Sequence, residues 1–247
     1  MLIHPTAERL RAIGLCAMAD ALLELHNNGE AEQLSHADWL GLLVDREATY
    51  RDNRRVARRL QVAKLRQAAV VENVNYRAQR NLDRTLFQNL ATSKWIREHR
   101  HLIITGPCGT GKSWIACALG HKACRDGYSV LYKRAPRLFT ELAQARGEGR
   151  LARLMASLTR ISLLIIDDWG PEPLNHEQRR DLLEIVDDRY DKGSLLITSQ
   201  LPFDRLYDVV GDPTLADAIM DRVIHNAHRI ELKGESLRRP QPERSAT

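Results

Sequence analysis

Residues 106–113 read Gly-Pro-Cys-Gly-Thr-Gly-Lys-Ser, and this order restricts the possible folds of the chain more than any other feature. An apolar run at 101–105 enters the segment, and a helix-like run at 114–125 leaves it. This is the strand–loop–helix setting of a phosphate-binding loop, whose glycines let successive backbone N–H groups point inward. The helix that follows adds the positive end of its dipole. The segment therefore predicts a site for a nucleoside triphosphate.

Two side chains of this loop have separate expected roles. Lys112 should reach the β- and γ-phosphates, and the Ser113 hydroxyl should ligate Mg²⁺. The residues expected to bind the nucleotide are Gly106, Pro107, Cys108, Gly109, Thr110, Gly111, Lys112, Ser113 and Trp114.

Two carboxylates follow a second apolar run, at 161–166. Ligand sites in open α/β sheets lie at the carboxyl ends of strands, so packing alone does not explain this pair. Asp167 is the candidate for holding Mg²⁺, through water or Ser113. Asp168 is the candidate for orienting and deprotonating the attacking water. A third apolar run, at 194–198, ends in Ser199 and Gln200, either of which could position that water near the γ-phosphate.

Alternation of strand and helix patterns predicts an α/β fold with a five-stranded parallel sheet wrapped by helices. Strands are predicted at 101–105, 129–133, 161–167, 194–199 and 228–232, and helices at 112–125, 136–146, 149–159, 176–191 and 213–226. Upstream, the helical period predicts helices at 5–27, 36–66 and 83–98. We predict a small all-α N-terminal domain at 1–72, an ATPase-type domain at 73–235 and a disordered tail at 236–247.

Composition narrows the cellular setting. No run of 18 apolar residues is present, so no membrane contact is expected. The N-terminus lacks the layout of a signal peptide. The four cysteines contain no C-x-x-C pair and are predicted to be reduced thiols of a cytoplasmic protein. The net charge of +5 is only mildly basic, so the clustering of basic residues says more about nucleic-acid binding than the net charge does.

The last predicted helix, at 213–226, carries Arg222. A hydrolysis site made of Lys112, Mg²⁺ and carboxylates still lacks one cation, and an arginine supplied in trans can stabilise charge on the γ-phosphate. Arg222 would suit a head-to-tail assembly, and Arg189 is the weaker alternative.

Five motifs occur together in a recognisable order, at 106–113, 163–170, 196–202, 211–222 and 233–238. In this order the chain resembles the IstB family, the ATP-binding helper proteins of bacterial insertion sequences, over about 35–239. It is similar, more distantly, to DnaC-type helicase loaders. The most specific parts are Thr-Ser-Gln-Leu-Pro at 198–202 and Gly-Glu-Ser at 234–236.

The resemblance implies a AAA+ ATPase core that binds ATP and partners a separate transposase. It implies assembly on DNA as a ring or spiral, with Asp167 and Asp168 as the magnesium and catalytic acids. The sensor region then falls on 198–200, which includes Gln200, and the trans arginine on Arg222. No room remains for a C-terminal helical lid, and Arg238 is the weak candidate for a second sensor arginine.

Two departures from the family pattern affect the expected rate. AAA+ proteins more often carry Asp-Glu at the acid pair and Asn at the sensor, whereas this chain has Asp168 and Gln200. A shorter carboxylate would hold water less closely. We therefore expect slow hydrolysis that acts as a timer.

The densest basic run predicts contact with duplex DNA. Its arginines share one helix face, and only Asp52 is close enough in sequence to pair with them. They are Arg51, Arg54, Arg55, Arg58 and Arg59. In related initiators the region after the second strand lines the DNA side, which makes Lys133, Arg134 and Arg137 secondary candidates. Such contacts to phosphates carry little sequence preference.

Three other functions stay open at this point. A DnaC-like helicase loader would use a hexameric helicase and single-stranded DNA as partners. A small-molecule P-loop kinase would leave the arginine run and Arg222 without a role. A nucleotide-gated scaffold would bind ATP and barely hydrolyse it.

Overall fold

The structure is a computed structural model that describes residues 3–28, 34–170 and 172–237. The chain divides into two compact units, Met1–Arg58 and Arg59–Thr247. Arg238 and the rest of the predicted tail from 238 onward lie outside the described residues.

The first unit contains helices α1 (Ile3–Ala12) and α2 (Cys16–Asn27) and most of α3 (His36–Ala63). Small and branched apolar side chains form its core, among them Ala7, Ala19 and Leu22. The single helix predicted at 5–27 is wrong, because the chain breaks at Gly14, whose φ is 81°. The N–H groups of Gly14 and Leu15 bond back to the carbonyls of Arg11 and Leu10, which is a Schellman cap.

Of two other predicted helices, one ends earlier than expected and one is divided in two, in each case where a single residue adopts positive φ. Helix α3 ends at Ala63, where Lys64 has φ 51°. The segment predicted as one helix at 83–98 consists of α4 (Arg84–Leu90) and α5 (Lys94–Arg97), separated at Ser93 with φ 58°.

The second unit is built on a parallel sheet with strand order β2-β3-β4-β1-β5 in the described part of the chain. The strands are β1 (His101–Thr105), β2 (Val130–Arg134), β3 (Leu163–Trp169), β4 (Ser194–Ser199) and β5 (Ala227–Glu231). The helices are α6 (Lys112–Arg125), α7 (Ala135–Gly147), α8 (Leu151–Thr159), α9 (His176–Arg189), α10 (Leu206–Val210) and α11 (Pro213–Ile224). The predicted α/β fold is confirmed.

Each face of the sheet has its own core because side chains alternate along a strand. In β1, Leu102 and Ile104 pack on the face covered by α6, and Ile103 packs on the opposite face. Residues upstream of α4 also join the first face, since Ala63 and Ala69 are buried there. This packing explains why the division of the chain falls before the boundary expected after residue 72.

No helix among the described residues is long and apolar enough to cross a membrane.

A buried histidine begins β1. His101 is 2% exposed, and its Nδ1 accepts a hydrogen bond of 3.1 Å from the backbone N–H of Leu195. Burial, with a smaller contribution from the charge of Arg189, lowers the pKa of His101 to about 4. The neutral imidazole is therefore the form that fits the fold.

This shift predicts an acid-dependent loss of stability. Because the folded pKa lies below the usual 6.5, the contribution of His101 is complete above pH 6.5 and is lost as the pH falls toward 4. Urea unfolding of the wild type should lose up to about 3 kcal/mol over this range from this group alone. His101→Asn, which keeps an acceptor but cannot protonate, should have a flatter profile. Parallel profiles for the two proteins would contradict the assignment.

Candidate nucleotide site

The phosphate loop turns between β1 and α6 with three glycines at positive φ. These are Gly106 at 142°, Gly109 at 86° and Gly111 at 93°. A Cβ at Gly106 would lie 2.3 Å from the carbonyl oxygen of Leu232, so a side chain is excluded there by contact as well as by conformation. The loop can therefore keep its backbone close to the end of the sheet, directly ahead of the first turn of α6.

Lys112 is the first residue of α6 and is 6% exposed. Its ammonium group donates to the carbonyls of Gly106 at 2.7 Å and Pro107 at 2.8 Å. The Thr110 hydroxyl also donates to the Pro107 carbonyl, at 2.9 Å. The lysine thus lies folded over its own loop, with its charge directed where a phosphate would bind.

A cavity of about 300 Å³ opens beside the loop. The predicted residues that line it are Cys108, Gly109, Gly111, Lys112, Ser113, Trp114, Asp168 and Gln200. Gly106, Pro107 and Thr110 instead support the loop through the bonds described above. Sequence reasoning missed the remaining lining residues, which are Gln67, Asn73, Asn75, Arg80 and Leu237. Leu237 falls at the start of the predicted disordered tail, yet its N–H donates to the Gly109 carbonyl at 3.0 Å.

Asp167 is fully buried and accepts three side-chain hydrogen bonds. Ser113 Oγ donates at 2.8 Å and Thr198 Oγ1 at 2.5 Å to one carboxylate oxygen, and the Tyr132 hydroxyl donates at 2.5 Å to the other. Burial, followed by this bond to Asp167, raises the pKa of Tyr132, so the phenol stays protonated as a donor. The sequence linked Ser113 to Asp167 but did not single out Tyr132; Thr198 was noted only within the resemblance.

The Ser113 hydroxyl and the Asp167 carboxylate fit Mg²⁺ in their chemistry. Mg²⁺ prefers oxygen ligands and is commonly held by one or two protein groups together with phosphates and water. The hydroxyl oxygen of Ser113, in the first turn of α6, lies 2.8 Å from a carboxylate oxygen of Asp167 in β3. Among the described residues no cluster of three or more His, Cys, Asp or Glu side chains offers an alternative metal site.

Asp168 adopts a left-handed backbone conformation with φ 61°. Its N–H donates to Thr198 Oγ1 at 3.1 Å, and its carboxylate accepts from Arg134 Nη2 at 2.8 Å. This ion pair raises the pKa of Arg134. A positive φ at a non-glycine residue costs on the order of 1 kcal/mol and is concentrated at functional sites. The turn directs Asp168 to the same cavity as Gln200.

Two of the three secondary DNA candidates are already engaged by acids. Arg134 pairs with Asp168, and the Lys133 ammonium donates to Glu141 at 2.7 Å. Arg137, on the first turn of α7, is exposed and has no ion pair among the described residues.

The two arginines considered for a neighbouring subunit differ in accessibility. Arg222 on α11 pairs with Asp187 on α9 and is 36% exposed. Arg189 is 1% exposed and donates to the carbonyls of Leu158 and Ser194, both at 2.7 Å. Burial lowers the pKa of Arg189 to about 10. Arg189 is a structural residue, and the alternative that gave it a trans role is wrong.

The arginine run lies on α3, and its members differ in their contacts. Arg51 pairs with Glu47 at 2.8 Å and Arg55 with Asp52 at 3.0 Å. The expectation that only Asp52 could pair with this run is therefore wrong, because Glu47 lies one turn before Arg51. Arg54 lies over the ring of Tyr50, 6.0 Å from its centroid. Arg58 is exposed and Arg59 partly exposed, without ion pairs in the described part of the chain.

The role of Thr198 in holding the two acids can be tested by stability. Thr198→Val removes a donor to Asp167 and the acceptor of the Asp168 N–H at nearly constant volume, leaving buried polar groups unpaired. Urea unfolding should show a loss of about 1–3 kcal/mol. Thr140→Val is the matched control, since this exposed hydroxyl only caps the Pro136 carbonyl, and its effect should stay within about 0.5 kcal/mol. Equal losses in both variants would contradict the role.

Comparison with known proteins supports the resemblance seen in the sequence. The family described as IstB-like ATP binding protein matches residues 8–245. An insertion sequence ATP-binding protein of Sinorhizobium fredii (strain NBRC 101917 / NGR234) is 59% identical over 245 residues, which are 99% of this chain and 100% of that protein.

Solved structures agree on the fold. The structure of DnaI has a TM-score of 0.59 at 20% identity and covers 67% of this chain and 91% of that one. The DnaC helicase loader has a TM-score of 0.52 at 19% identity, with 60% and 87% covered. At these identities the likeness concerns the fold alone, an α/β fold with a parallel sheet. Because the family model and the relative from Sinorhizobium fredii both match most of its length, the chain belongs to the family of IstB-like ATP binding proteins.

Proposed function

We propose that this protein is an ATP-dependent, DNA-binding helper of transposition that assembles on duplex DNA and stimulates a partner transposase. The observation that carries the proposal is the 2.8 Å hydrogen bond between Ser113 and Asp167, which joins the phosphate loop to the acidic end of β3. The name of the Sinorhizobium fredii relative, an insertion sequence ATP-binding protein, supports the transposase as partner.

Nucleotide binding follows from the loop. Backbone N–H groups at 109–113 and the N-terminus of α6 offer donors to the phosphates of ATP. Lys112 exchanges its two carbonyl acceptors for phosphate oxygens. Ser113 and Asp167 would hold Mg²⁺, which supplies positive charge for the β- and γ-phosphates when it is bound.

Hydrolysis falls to Asp168. Its carboxylate orients a water molecule and takes the proton as that water attacks, with Gln200 on the wall of the same cavity. In the unassembled protein Arg134 holds this carboxylate at 2.8 Å, so the base is occupied. Because Asp168 is a short carboxylate that is already paired with Arg134, we expect slow ATP hydrolysis, and a slow rate would let hydrolysis act as a timer.

Arg222 completes the site of a neighbouring subunit in this proposal. Its guanidinium is partly exposed and paired with Asp187, so a γ-phosphate from another copy can replace that carboxylate as its partner. Such an exchange requires a head-to-tail homo-oligomer, which forms a ring or a spiral.

The exposed arginines of α3 support DNA binding. Arg54, Arg58 and Arg59 have no carboxylate partner among the described residues, so their charges are available to DNA phosphates. Contacts of this kind tolerate many sequences, which suits a protein that serves many insertion targets. The helicase loader remains the alternative, because the DnaC helicase loader shares the fold.

Turnover should depend on assembly. With duplex DNA, the ATPase rate of the wild type should rise cooperatively with protein concentration. Arg222→Ala should lose about 100-fold or more of that rate while keeping its affinity for MgATP, since the arginine acts on the transition state of a neighbouring site. Asp187→Asn is the matched control, because it breaks the same ion pair and keeps the arginine.

Two results would count against this mechanism. An equal loss in Asp187→Asn and Arg222→Ala would make the ion pair structural. A wild-type rate indifferent to DNA and concentration would indicate a self-contained active site, as in a kinase, and the helper function would be abandoned.

DNA binding should fall steeply with salt. Replacing two of the three unpaired arginines, Arg54→Gln with Arg58→Gln, should weaken binding to duplexes of any sequence. The slope of log affinity against log salt should decrease by about 1.8, or about 0.9 per phosphate contact. Arg11→Gln, a surface arginine paired with Asp20 in the same unit, should leave the slope unchanged. Tighter binding to single strands than to duplexes would favour the helicase loader.

A further inference from the structure

An arginine, Arg80, lines the nucleotide cavity, and no step described so far uses it. Arg80 belongs to the loop between the 3₁₀ turn Val71–Asn73 and α4. Its side chain is 4% exposed and lies against the phosphate loop, so that a Cβ on Gly111 would be 2.7 Å from Nη1. The N–H of Lys233 donates to its carbonyl at 3.1 Å, which fixes the backbone on the opposite side.

The guanidinium of Arg80 makes few and long hydrogen bonds. Nη1 donates to the Thr110 carbonyl at 3.5 Å and Nη2 to the Asn75 carbonyl at 3.4 Å, both at the long limit of a hydrogen bond. Nε is buried without a hydrogen-bond partner in the described part of the chain. A guanidinium carries five N–H donors, so most of its capacity is unused.

The charge of Arg80 also has no counter-ion in the described part of the chain. Burial lowers its pKa, and the one charge interaction acting in the opposite direction comes from Tyr76, with no acidic side chain contributing among the described residues. Arg189, the other deeply buried arginine, differs because it donates to two carbonyls at 2.7 Å. Buried charges in proteins are normally paired, and an unpaired one is destabilising.

The cavity indicates what could pair with it. Arg80 lines the same space of about 300 Å³ as Lys112 and Ser113. Asp168 also lines it, but that carboxylate is bound by Arg134. An anionic ligand in this cavity would therefore meet the charge of Arg80 with its unused donors.

We infer that Arg80 binds the polyphosphate of the nucleotide from within the same subunit, and that the nucleotide is its missing counter-ion. The inference rests on the proposed nucleotide binding and extends it. Arg80 and Lys112 approach the phosphates from different segments of the chain, one before β1 and one after it. Arg80 thus supplies a cation from the N-terminal side of the phosphate loop.

This role has two measurable consequences that a structural arginine would not share. Removing the charge should weaken ligands in proportion to their phosphates, because the interaction is with charge rather than with the base. It should also leave the nucleotide-free protein at least as stable, because an uncompensated buried charge disappears.

The test measures binding of MgATP, MgADP and adenosine to the full-length protein by calorimetry, with thermal melting in the absence of nucleotide. Arg80→Met should weaken MgATP by about 10- to 100-fold and MgADP less, with adenosine unchanged. Arg80→Lys keeps the positive charge but loses the forked donors of the guanidinium, so its affinity for MgATP should lie between those of the wild type and Arg80→Met. Arg84→Met is the control, since Arg84 is exposed and lies over the Tyr76 ring 5.3 Å away.

The outcomes separate this inference from the proposed function. Wild type that binds no MgATP would overturn nucleotide binding itself. Arg80→Met that binds MgATP like wild type, or loses adenosine equally, would overturn only the role of Arg80. A lower melting temperature for both Arg80 variants without nucleotide, or failure of both to fold, would make the residue structural and would also overturn it.

Discussion

The carboxylate of Asp167 is the point on which the site depends. It is fully buried, and isolated burial of a carboxylate is prohibitively costly, so its hydrogen bonds must be made. Its donors come from three different elements, with Ser113 on α6, Tyr132 on β2 and Thr198 on β4. Satisfying one acid therefore fixes the positions of the phosphate loop and two neighbouring strands. The same threonine then accepts from the N–H of Asp168 and directs the second acid.

The arginines proposed to act near the phosphates differ in whether an acidic side chain of the same chain pairs with them. Arg134 is held by Asp168 and Arg222 by Asp187, so each must leave a carboxylate before it can act elsewhere. In such an exchange one anion replaces another, because a guanidinium binds carboxylate and phosphate in the same forked geometry. Arg80 has no such acid partner among the residues that the structure describes. In the proposed assembly, Arg222 exchanges Asp187 for a phosphate, whereas in nucleotide binding Arg80 gains its first anionic partner.

Sequence patterns predicted most of the strands and helices of the second unit because such patterns are local. Strand and helix positions in the second unit followed from the alternation of apolar runs, and a capping box of Asn175 and Gln178 begins α9 where this alternation predicted a helix. Errors occurred where one residue adopts positive φ within a helical pattern, at Gly14, Lys64 and Ser93. Glycine signals such a break weakly, whereas lysine and serine give almost no signal, because tertiary contacts decide their conformation.

The sequence by itself determined the phosphate loop, the acid pair and the positions of most strands and helices of the second unit, since each of these rests on residues within one short segment. The tertiary structure alone decided which distant side chains complete the site. Tyr132 reaches Asp167 because β2 pairs beside β3, and Arg80 reaches Gly111 because its loop packs against the phosphate loop. It also decided that Arg189 is structural while Arg222 stays accessible. Contacts between segments far apart in sequence depend on strand order and burial, which no local pattern encodes.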